Sequence, residues 1–243
     1  YGKAEFMNPG GSVKDRAALG IIQDAEEKKL IEPGGTVVEG TFGNTGIALT
    51  MINNARGYKT IIVMPEAASL EKRDILRNLG AELKIVEVKP YKDPGNYQHI
   101  SRRLAEELQV KGKGSVIWAN QFDNTANYEF HAKTTAKEIY DQLDGKIDGF
   151  TCAIGTGGTL AGTSVGLKEL NPNIKIACTD PQGATMYRYF KDSVLEVTGD
   201  PSETEGIGQA RVTKNVEACL IDMAYHITDK DAFELLYKLI KTE

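Results

Sequence analysis

Two glycine-rich segments, each placed between an apolar run and the start of a helix, constrain the fold of this chain more than any other feature. The first, residues 40–46, follows the strand-like run 36–39, and the second, residues 155–162, follows the run 150–154. A strand, a glycine loop and a helix start form a βα turn, in which backbone N–H groups point outward and bind an anion. Because strands that alternate with helices indicate parallel βαβ units, we expect an α/β fold with two anion-binding turns.

The rest of the chain fits the same alternation. Further predicted strands are residues 59–65, 80–86, 116–118 and 174–181, and further predicted helices are residues 71–79, 101–108 and 228–241. The composition is ordinary, with 41% hydrophobic residues, 26% charged residues and a net charge of −5, so charge gives no reason to expect a nucleic-acid partner. No apolar stretch approaches the length of a membrane-spanning segment.

A lysine occupies an unusual position near the N-terminus. The turn-forming residues 8–11, Asn-Pro-Gly-Gly, precede a helix in which Ser12 is the predicted N-cap and Asp15 occupies the capping-box position. Lys14 therefore falls in the first helical turn, where the helix dipole disfavours a cation. An amine whose ammonium form is disfavoured suits a nucleophile or a Schiff base, whereas a lone lysine on a helix is more often simply solvated.

The segment around this lysine has a family counterpart. Residues 8–16, Asn-Pro-Gly-Gly-Ser-Val-Lys-Asp-Arg, resemble the lysine motif of the cysteine synthase and cystathionine β-synthase family, the fold-type II enzymes that use pyridoxal 5′-phosphate (PLP). The resemblance covers nearly the whole chain and looks closest to fungal cysteine synthase-like proteins. It implies two lobes of parallel sheet flanked by helices, a tryptophan synthase β-like fold, with PLP in the cleft between the lobes. It also implies that Lys14 forms the Schiff base with PLP and then acts as general base.

The first glycine loop resembles the Thr-Ser-Gly-Asn-Thr loop of that family. The resemblance implies that Asn44 hydrogen-bonds the 3′ oxygen of PLP, and that Thr41, Gly43 and Thr45 hold the carboxylate of the substrate. Phe42 departs from the pattern, since a small residue is usual there. An aromatic ring beside the carboxylate site could narrow the pocket, so the substrate stays open.

The second glycine loop suits a single phosphate group. It fails the dinucleotide fingerprint, because the third glycine would fall at Leu160, and it lacks the Gly-Lys-Ser/Thr of a P-loop. The family uses Gly-Thr-Gly-Gly-Thr for the PLP phosphate, and the match is complete at Gly155, Thr156, Gly157, Gly158 and Thr159. By the same resemblance, Gln121 faces the substrate carboxylate, and Gly206 belongs to a loop near the cofactor ring.

Histidines and cysteines carry no predicted chemistry. His131 is expected to be a structural or surface residue, and His99 and His226 have no partner at ligand spacing. The three cysteines, Cys152, Cys178 and Cys219, are far apart in the sequence. We therefore expect no disulfide framework and no metal site, and a reducing compartment, cytoplasmic or mitochondrial.

The family pattern also predicts a domain organisation. Residues 1–13 would belong to the larger lobe, residues 14–119 would form the smaller lobe with the carboxylate loop, and residues 120–243 would form the larger lobe with the phosphate loop. The chain begins without methionine and ends within a predicted helix. The family's serine that hydrogen-bonds the pyridine nitrogen has no counterpart. We therefore expect a core truncated at both ends, whose cofactor binding needs a test.

The reaction implied by the resemblance is a β-replacement. O-acetylserine and sulfide would give L-cysteine through an α-aminoacrylate, the work of a transferase or lyase in cysteine biosynthesis that acts as a homodimer. Two alternatives stay open. One is a serine/threonine dehydratase or a cystathionine β-synthase-type lyase of the same fold. The other is a catalytically weak or inactive family member that acts as a binding or regulatory protein.

Overall fold

The chain consists of two compact units. The computed structural model describes residues 1–112 and 114–243, and it divides into unit 1 (Tyr1–Asn127) and unit 2 (Tyr128–Glu243). Each unit contains a parallel sheet flanked by helices, which confirms the predicted α/β class. The predicted lobe boundaries, after residues 13 and 119, stay predictions.

Unit 1 is built on a four-stranded parallel sheet with the strand order β3-β2-β1-β4. Its strands are β1 (Thr36–Gly40), β2 (Lys59–Pro65), β3 (Glu82–Val86) and β4 (Val116–Trp118). Its helices are α1 (Lys14–Glu27), α2 (Asn44–Arg56), α3 (Leu70–Asn78) and α4 (Tyr97–Val110).

The central strand β1 is covered on both faces. Val37 packs with Ile22 of α1 and Leu49 of α2, whereas the next residue, Val38, packs with Ala105 of α4. Successive side chains of a strand point to opposite faces, so these contacts place α1 and α2 on one side of the sheet and α4 on the other. All five residues of β1 are buried, as expected for a parallel strand between two helical layers.

The strand order of unit 1 creates a crevice at the carboxyl end of β1. From β1 the chain adds β2 and then β3 on one side, and it afterwards returns to place β4 on the other side of β1. Where the direction of winding reverses, the loops after two neighbouring strands diverge, and α/β proteins bind ligands at this point. The two loops here are residues 41–43, after β1, and residues 119–125, after β4.

Unit 2 is built on a three-stranded parallel sheet with the order β5-β6-β7. Its strands are β5 (Gly149–Cys152), β6 (Lys175–Pro181) and β7 (Met223–Ile227). Helix α5 (Ala126–Lys133) begins in the last residues of unit 1 and continues into unit 2. The other helices of unit 2 are α6 (Thr135–Gln142), α7 (Gly158–Leu170), α8 (Met186–Asp192), α9 (Lys214–Glu217) and α10 (Asp229–Thr242). The core packs Leu160 of α7 and Met186 of α8 around Ile176 of β6.

Cysteines that are far apart in the sequence lie on neighbouring strands of unit 2. Cys152 of β5 and Cys178 of β6 are register partners on neighbouring parallel strands, and none of the three cysteines forms a disulfide in the described part of the chain. Burial raises the pKa of the Cys178 thiol above its usual range and that of Cys219 to about 12, so both stay protonated at neutral pH. In the part of the chain that the structure describes, no helix has both the length and the apolar character needed to cross a membrane.

Candidate functional site

A network of polar contacts folds the predicted lysine motif onto the start of α1. Arg16 of α1 donates two hydrogen bonds to the Glu5 carboxylate, at 2.7 and 2.9 Å, and this ion pair is largely shielded from solvent. Asn8 Nδ2 donates to the same carboxylate at 2.7 Å and to the carbonyl oxygen of Ser12 at 3.1 Å. The turn that precedes Lys14 is therefore tied to the helix that follows it.

Lys14 is the first residue of α1, in agreement with its predicted place in the first turn. The predicted capping box is wrong. The N-cap is Val13, and Ser12 Oγ accepts a hydrogen bond from the Lys14 amide at 3.2 Å. Asp15 Oδ2 accepts from the Gly10 amide at 2.6 Å, not from Ser12, because the chain reverses between them. The pKa of the Asp15 carboxyl group is raised, because the effect of burial exceeds the opposite effect of the hydrogen bond from Gly10.

The predicted carboxylate loop leads directly into α2. Asn44 is the first residue of this helix, and the N-cap is Gly43, whose φ of 149° is rarely adopted by other residues. Thr41 is buried, and its Oγ1 accepts a hydrogen bond from the Gly43 amide at 3.1 Å. The first N–H groups of a helix have no intrahelical acceptor, and here the N-cap is a glycine without a side chain to supply one. This helix start is therefore suited to an anion.

Two predicted carboxylate-binding residues meet in the crevice at the end of β1. Thr45 Oγ1 donates a hydrogen bond to Gln121 Oε1 at 2.5 Å, although 76 positions separate the two residues. Gln121 Nε2 donates to the Gly40 carbonyl oxygen at 3.3 Å, and Asn127 Nδ2 donates to the Gln121 carbonyl oxygen at 2.9 Å. Gln121 is thus buried in the site; it is not a solvated residue at a strand end.

The unusual aromatic residue of this loop packs against α4. The ring of Phe42 contacts the ring of Tyr97 edge to face, with 5.5 Å between centroids and 88° between planes. The side chain of Phe42 stays 36% exposed. The ring therefore lies at the rim of the loop.

A buried acid beside this loop was missed by the sequence analysis. Glu39, next to the end of β1, is 1% exposed. Burial raises the pKa of its carboxyl group to about 8, and hydrogen bonds from Gln121, Asn120 and Gly40 act in the opposite direction. The sequence feature that could have indicated this buried acid is its position directly after the apolar pair Val37-Val38, within a predicted strand.

In unit 2, the predicted phosphate loop forms the start of α7. The N-cap of this helix is Gly157, with a φ of 93°, and Thr156 Oγ1 accepts a hydrogen bond from the Gly158 amide at 3.3 Å. A Cβ atom at Gly157 would lie 2.9 Å from the Val216 amide nitrogen, and one at Gly155 would lie 2.7 Å from the Gly206 carbonyl oxygen. Close backbone approach therefore requires glycine at both positions.

A distant segment holds the carbonyl groups of this loop. Thr213 Oγ1 donates to the Thr156 carbonyl oxygen at 2.7 Å, and Gln209 Nε2 donates to the Gly155 carbonyl oxygen at 2.9 Å. The Gly208 amide donates to the Ile154 carbonyl oxygen at 2.8 Å. The structure therefore places the predicted Gly206 loop directly against the phosphate loop.

His131 is also part of this arrangement. It is fully buried, so it is not a surface residue. Its Nδ1 lies 2.8 Å from Thr135 Oγ1, and its Nε2 lies 3.4 Å from Thr159 Oγ1, the last residue of the phosphate loop. A histidine 24 residues before the nearer glycine loop gives no sequence signal for this contact.

The donors in each unit fit the groups that the sequence analysis assigned to them. The start of α7 combines backbone N–H groups with the hydroxyl groups of Thr156 and Thr159, and such a set suits a phosphate. The start of α2 offers backbone N–H groups beside Thr45 and Gln121, a set that suits a carboxylate. Among the described residues, no group of three or more His, Cys, Asp or Glu side chains could hold a metal ion. The roles of the individual residues stay predictions.

Comparison with known proteins agrees with this geometry. Cysteine synthase 1 of Neurospora crassa is 49% identical over an alignment of 247 positions. This alignment covers 100% of this chain and 64% of that protein. The crystal structure of O-ureido-L-serine synthase superposes with a TM-score of 0.86 at 34% identity, over 99% of this chain and 72% of that one. An O-acetylserine dependent cystathionine beta-synthase from Helicobacter pylori superposes with a TM-score of 0.83, also at 34% identity, over 98% and 73% of the two chains.

The chain thus spans about two thirds of the length of the curated relatives that it matches. The match to the family model described as "Pyridoxal-phosphate dependent enzyme" is more extensive, since it covers residues 1–243. Similarity to fungal cysteine synthases extends over nearly all of this chain. Together with the family match, it confirms the resemblance seen in the sequence. The chain belongs to the family of pyridoxal-phosphate-dependent enzymes.

Proposed function

We propose that the protein catalyses a β-replacement in which O-acetyl-L-serine and sulfide give L-cysteine and acetate. The observation that carries this proposal is the contact between Thr45 and Gln121 at 2.5 Å, beside the start of α2, where backbone N–H groups suit a carboxylate. The similarity to cysteine synthase 1 of Neurospora crassa supports the choice of product. The Helicobacter pylori relative, which is named for its dependence on O-acetylserine, supports the choice of activated serine.

In unit 1, Lys14, through its Nζ, and Asn44, through its side-chain amide, would contact PLP. In unit 2, residues 155–159 would hold a phosphate group such as that of PLP, through backbone N–H and hydroxyl groups. When bound, PLP supplies an electrophilic aldehyde and a ring that withdraws electrons from the α-carbon of an amino acid.

Lys14 is the proton carrier of the proposed reaction. Its Nζ would act as the general base that takes the proton from the α-carbon of the substrate. The position at the first residue of α1 favours the neutral amine that this role requires, because the positive end of the helix dipole opposes the ammonium form. The tethered turn before it fixes where the lysine backbone lies.

The loop at the start of α2 orients the substrate. Backbone N–H groups of the first turn and the second N–H of the Gln121 side-chain amide would bind the α-carboxylate, while the Thr45 hydroxyl, which donates its one proton to Gln121 Oε1, would hold that amide in place. This contact holds the α-carbon in one orientation while acetate leaves and sulfide adds. The burial of Thr45 and Gln121 strengthens the contact, since electrostatic interactions are less screened away from water.

The decisive experiment is a visible absorption spectrum of the chain with PLP, before and after addition of O-acetyl-L-serine. Lys14→Ala should remove the absorption band of the covalently held cofactor, whereas Lys28→Ala, at the exposed far end of α1, should keep it. In the wild type the band should shift on addition of the substrate, and cysteine should form once sulfide is added. An unchanged band in Lys14→Ala would contradict the proposal.

A second reaction, that of a serine/threonine dehydratase or a cystathionine β-synthase-type lyase, is favoured by one observation. Phe42 occupies the rim of the carboxylate loop, where a bulky ring changes the space beside the substrate. Phe42→Ser should raise the ratio of kcat/KM for O-acetyl-L-serine to that for L-serine if the β-replacement is the native reaction. A wild type that prefers L-serine as substrate would instead assign it to the second class.

We further propose that the protein is a homodimer that works in a reducing compartment, cytoplasmic or mitochondrial. The support for the compartment is that the sequence has only three cysteines, far apart along the chain, which is not the pattern of a disulfide framework. Sedimentation equilibrium measures the oligomeric state directly, and fluorescent tagging of the full-length protein in cells gives the compartment.

A further inference from the structure

The side chain of His131 is buried beside the phosphate loop, and the proposed mechanism does not use it. Its exposed fraction is 0%, although histidine is only intermediate among the residue types in its tendency to be buried. Its Nδ1 lies 2.8 Å from the hydroxyl oxygen of Thr135, and its Nε2 lies 3.4 Å from that of Thr159. The imidazole ring therefore stands between two hydroxyl groups, one of which belongs to the phosphate loop.

A glycine of α7 brings the histidine to this place. A Cβ atom at Gly162 would clash with the Tyr128 carbonyl oxygen and would lie 2.5 Å from the Cβ atom of His131. Helix α5 therefore packs directly on the backbone of α7 at this glycine. Gly162 follows Thr159 by three residues, so both lie on the same face of α7. The contact between His131 and Thr159 is thus set by the packing of two helices.

The two contacts of the ring allow two arrangements of protons. A neutral imidazole has one N–H donor and one nitrogen acceptor, and each threonine hydroxyl group has a single proton to donate. If Nδ1 donates to Thr135, Nε2 must accept the proton of Thr159, and the Thr159 oxygen then offers only lone pairs to a ligand. If Thr135 donates to Nδ1, Nε2 donates to Thr159 Oγ1, and the Thr159 proton can point to a ligand oxygen.

We propose that His131 is a positioning residue that donates from Nε2 to the Thr159 hydroxyl group and thereby directs the Thr159 proton to the phosphate group of PLP. This inference rests on the proposed function, which assigns residues 155–159 to that phosphate. Thr135 selects the required form of the ring, because its hydroxyl group donates to Nδ1. The oxygens of a phosphate dianion only accept hydrogen bonds, so Thr159 can bind them only in this arrangement.

Two adjacent threonines provide a matched pair of variants. Thr135→Val removes the donor to Nδ1 and leaves every residue of the phosphate loop in place, whereas Thr134→Val removes a hydroxyl group that donates to the Phe130 carbonyl oxygen at 2.7 Å. Thr135→Val should weaken binding of inorganic phosphate to the cofactor-free chain about 2- to 10-fold, because the ring loses the partner that keeps its proton on Nε2. Thr134→Val should keep this affinity within about twofold.

A double-mutant cycle measures whether His131 acts through Thr159. His131→Leu and Thr159→Val should each weaken phosphate binding about 2- to 10-fold in isothermal titration calorimetry. The double variant should bind no more weakly than the weaker single variant, because both substitutions break the same contact. His131→Gln should keep the affinity within about twofold of wild type, since its amide N–H can replace Nε2 as donor. Losses that multiply in the double variant would overturn the inference.

The form of the ring is read by NMR of the chain with inorganic phosphate bound. The ¹³C and ¹⁵N chemical shifts of His131 should show a proton on Nε2 and none on Nδ1 in the wild type and in Thr134→Val. In Thr135→Val this form should change. A proton on Nδ1 in the wild type, alone or together with one on Nε2, would contradict the inference even if the proposed reaction is correct.

The outcomes separate this inference from the proposed function. A chain with the expected phosphate affinities and ring form that produces no cysteine would contradict the reaction and leave the role of His131 intact. A chain that forms cysteine but binds phosphate equally well in Thr135→Val and Thr134→Val would contradict the role of His131 alone. A wild type that binds neither inorganic phosphate nor PLP would contradict both.

Discussion

The start of α2 in unit 1 and the start of α7 in unit 2 are similar helix ends that are held in different ways. Each has a glycine N-cap with positive φ, Gly43 and Gly157, and each follows a parallel strand. Both therefore present backbone N–H groups to an anion. The difference lies in what supports the loop before the helix.

In unit 1 the support consists of side chains, and one of them can ionise. Gln121 bridges the Gly40 carbonyl oxygen and the Thr45 hydroxyl, and Glu39, one residue before Gly40, is a buried carboxyl group. In unit 2 the support acts on the backbone, through hydrogen bonds to the carbonyl oxygens of Gly155 and Thr156. The α2 loop should therefore be sensitive to polar substitutions and to pH, and the α7 loop to the volume of its glycines.

The largest effect is expected from Gly157→Ala. A methyl group there would approach the Val216 amide nitrogen to 2.9 Å while the backbone keeps a φ that is unfavourable for alanine. Strain and displaced backbone together should cost about 1–3 kcal/mol of unfolding free energy and lower PLP affinity at least a hundredfold. Equilibrium dialysis with PLP and urea denaturation measure the two effects.

Two other glycines are the controls for this experiment. Gly199→Ala in unit 2 has a similar φ of 81°, but the nearest atom lies at 3.4 Å, so strain acts there without a severe clash. Gly43→Ala in unit 1 would meet only the flexible side chain of Lys72. Both should keep PLP affinity within about tenfold. Equal losses in all three variants would show that the proposed contrast between the loops is wrong.

A second, smaller effect is expected from removing one hydroxyl group in each unit. Thr45→Val removes the partner of Gln121, and Thr159→Val removes the partner of His131. A hydrogen bond between neutral groups is worth about 0.5–1.5 kcal/mol, so each substitution should weaken binding roughly 2- to 10-fold. Thr45→Val should raise KM for O-acetyl-L-serine, and Thr159→Val should raise the Kd for PLP. Measuring both constants in both variants shows whether the two losses are separate; loss of PLP affinity in Thr45→Val would contradict the assignment.

The fold and the two loops could be predicted because they depend on local patterns. The centres of β2 (residues 61–65) and β6 (residues 176–178) are apolar, and the glycine loops that lead into helices follow strands. Helices α5 and α6 were not predicted. Helix α5 contains polar residues on its buried side, among them His131, so it lacks an apolar periodicity.

The support of each loop could not be predicted, because its members are distant in the sequence. Gln121 follows β4 and meets Thr45 only because the strand order places β4 beside β1. The same holds for Thr213, which reaches Thr156 across 57 positions. The predicted capping box was wrong because the Asp15 carboxylate accepts its hydrogen bond from the Gly10 amide and not from the Ser12 amide. Spacing along the chain gives candidate partners, and the topology selects among them.

The effect that most sharpens the comparison is the pH dependence of stability in unit 1. Burial raises the pKa of Glu39 from 4.5 to about 8, so between these values the folded protein holds a proton that the unfolded chain has released. Because the unfolded state then binds fewer protons, stability from this group is fully present below pH 4.5 and is lost as the pH rises through 8. The loss amounts to at most about 1.4 kcal/mol for each pH unit.

Glu39→Gln removes this titration. Urea denaturation of wild type and Glu39→Gln at pH 6, 7, 8 and 9 should show that the free energy of unfolding of the wild type falls relative to the variant up to about pH 8 and then runs parallel to it. Glu106→Gln, at an exposed position of α4, controls for the loss of a surface charge and should change little with pH. Curves for wild type and Glu39→Gln that stay parallel from pH 6 to 9 would mean that the Glu39 carboxyl group keeps one charge state over this range. The α2 loop would then be as insensitive to pH as the α7 loop, and the contrast between the two supports would reduce to geometry alone.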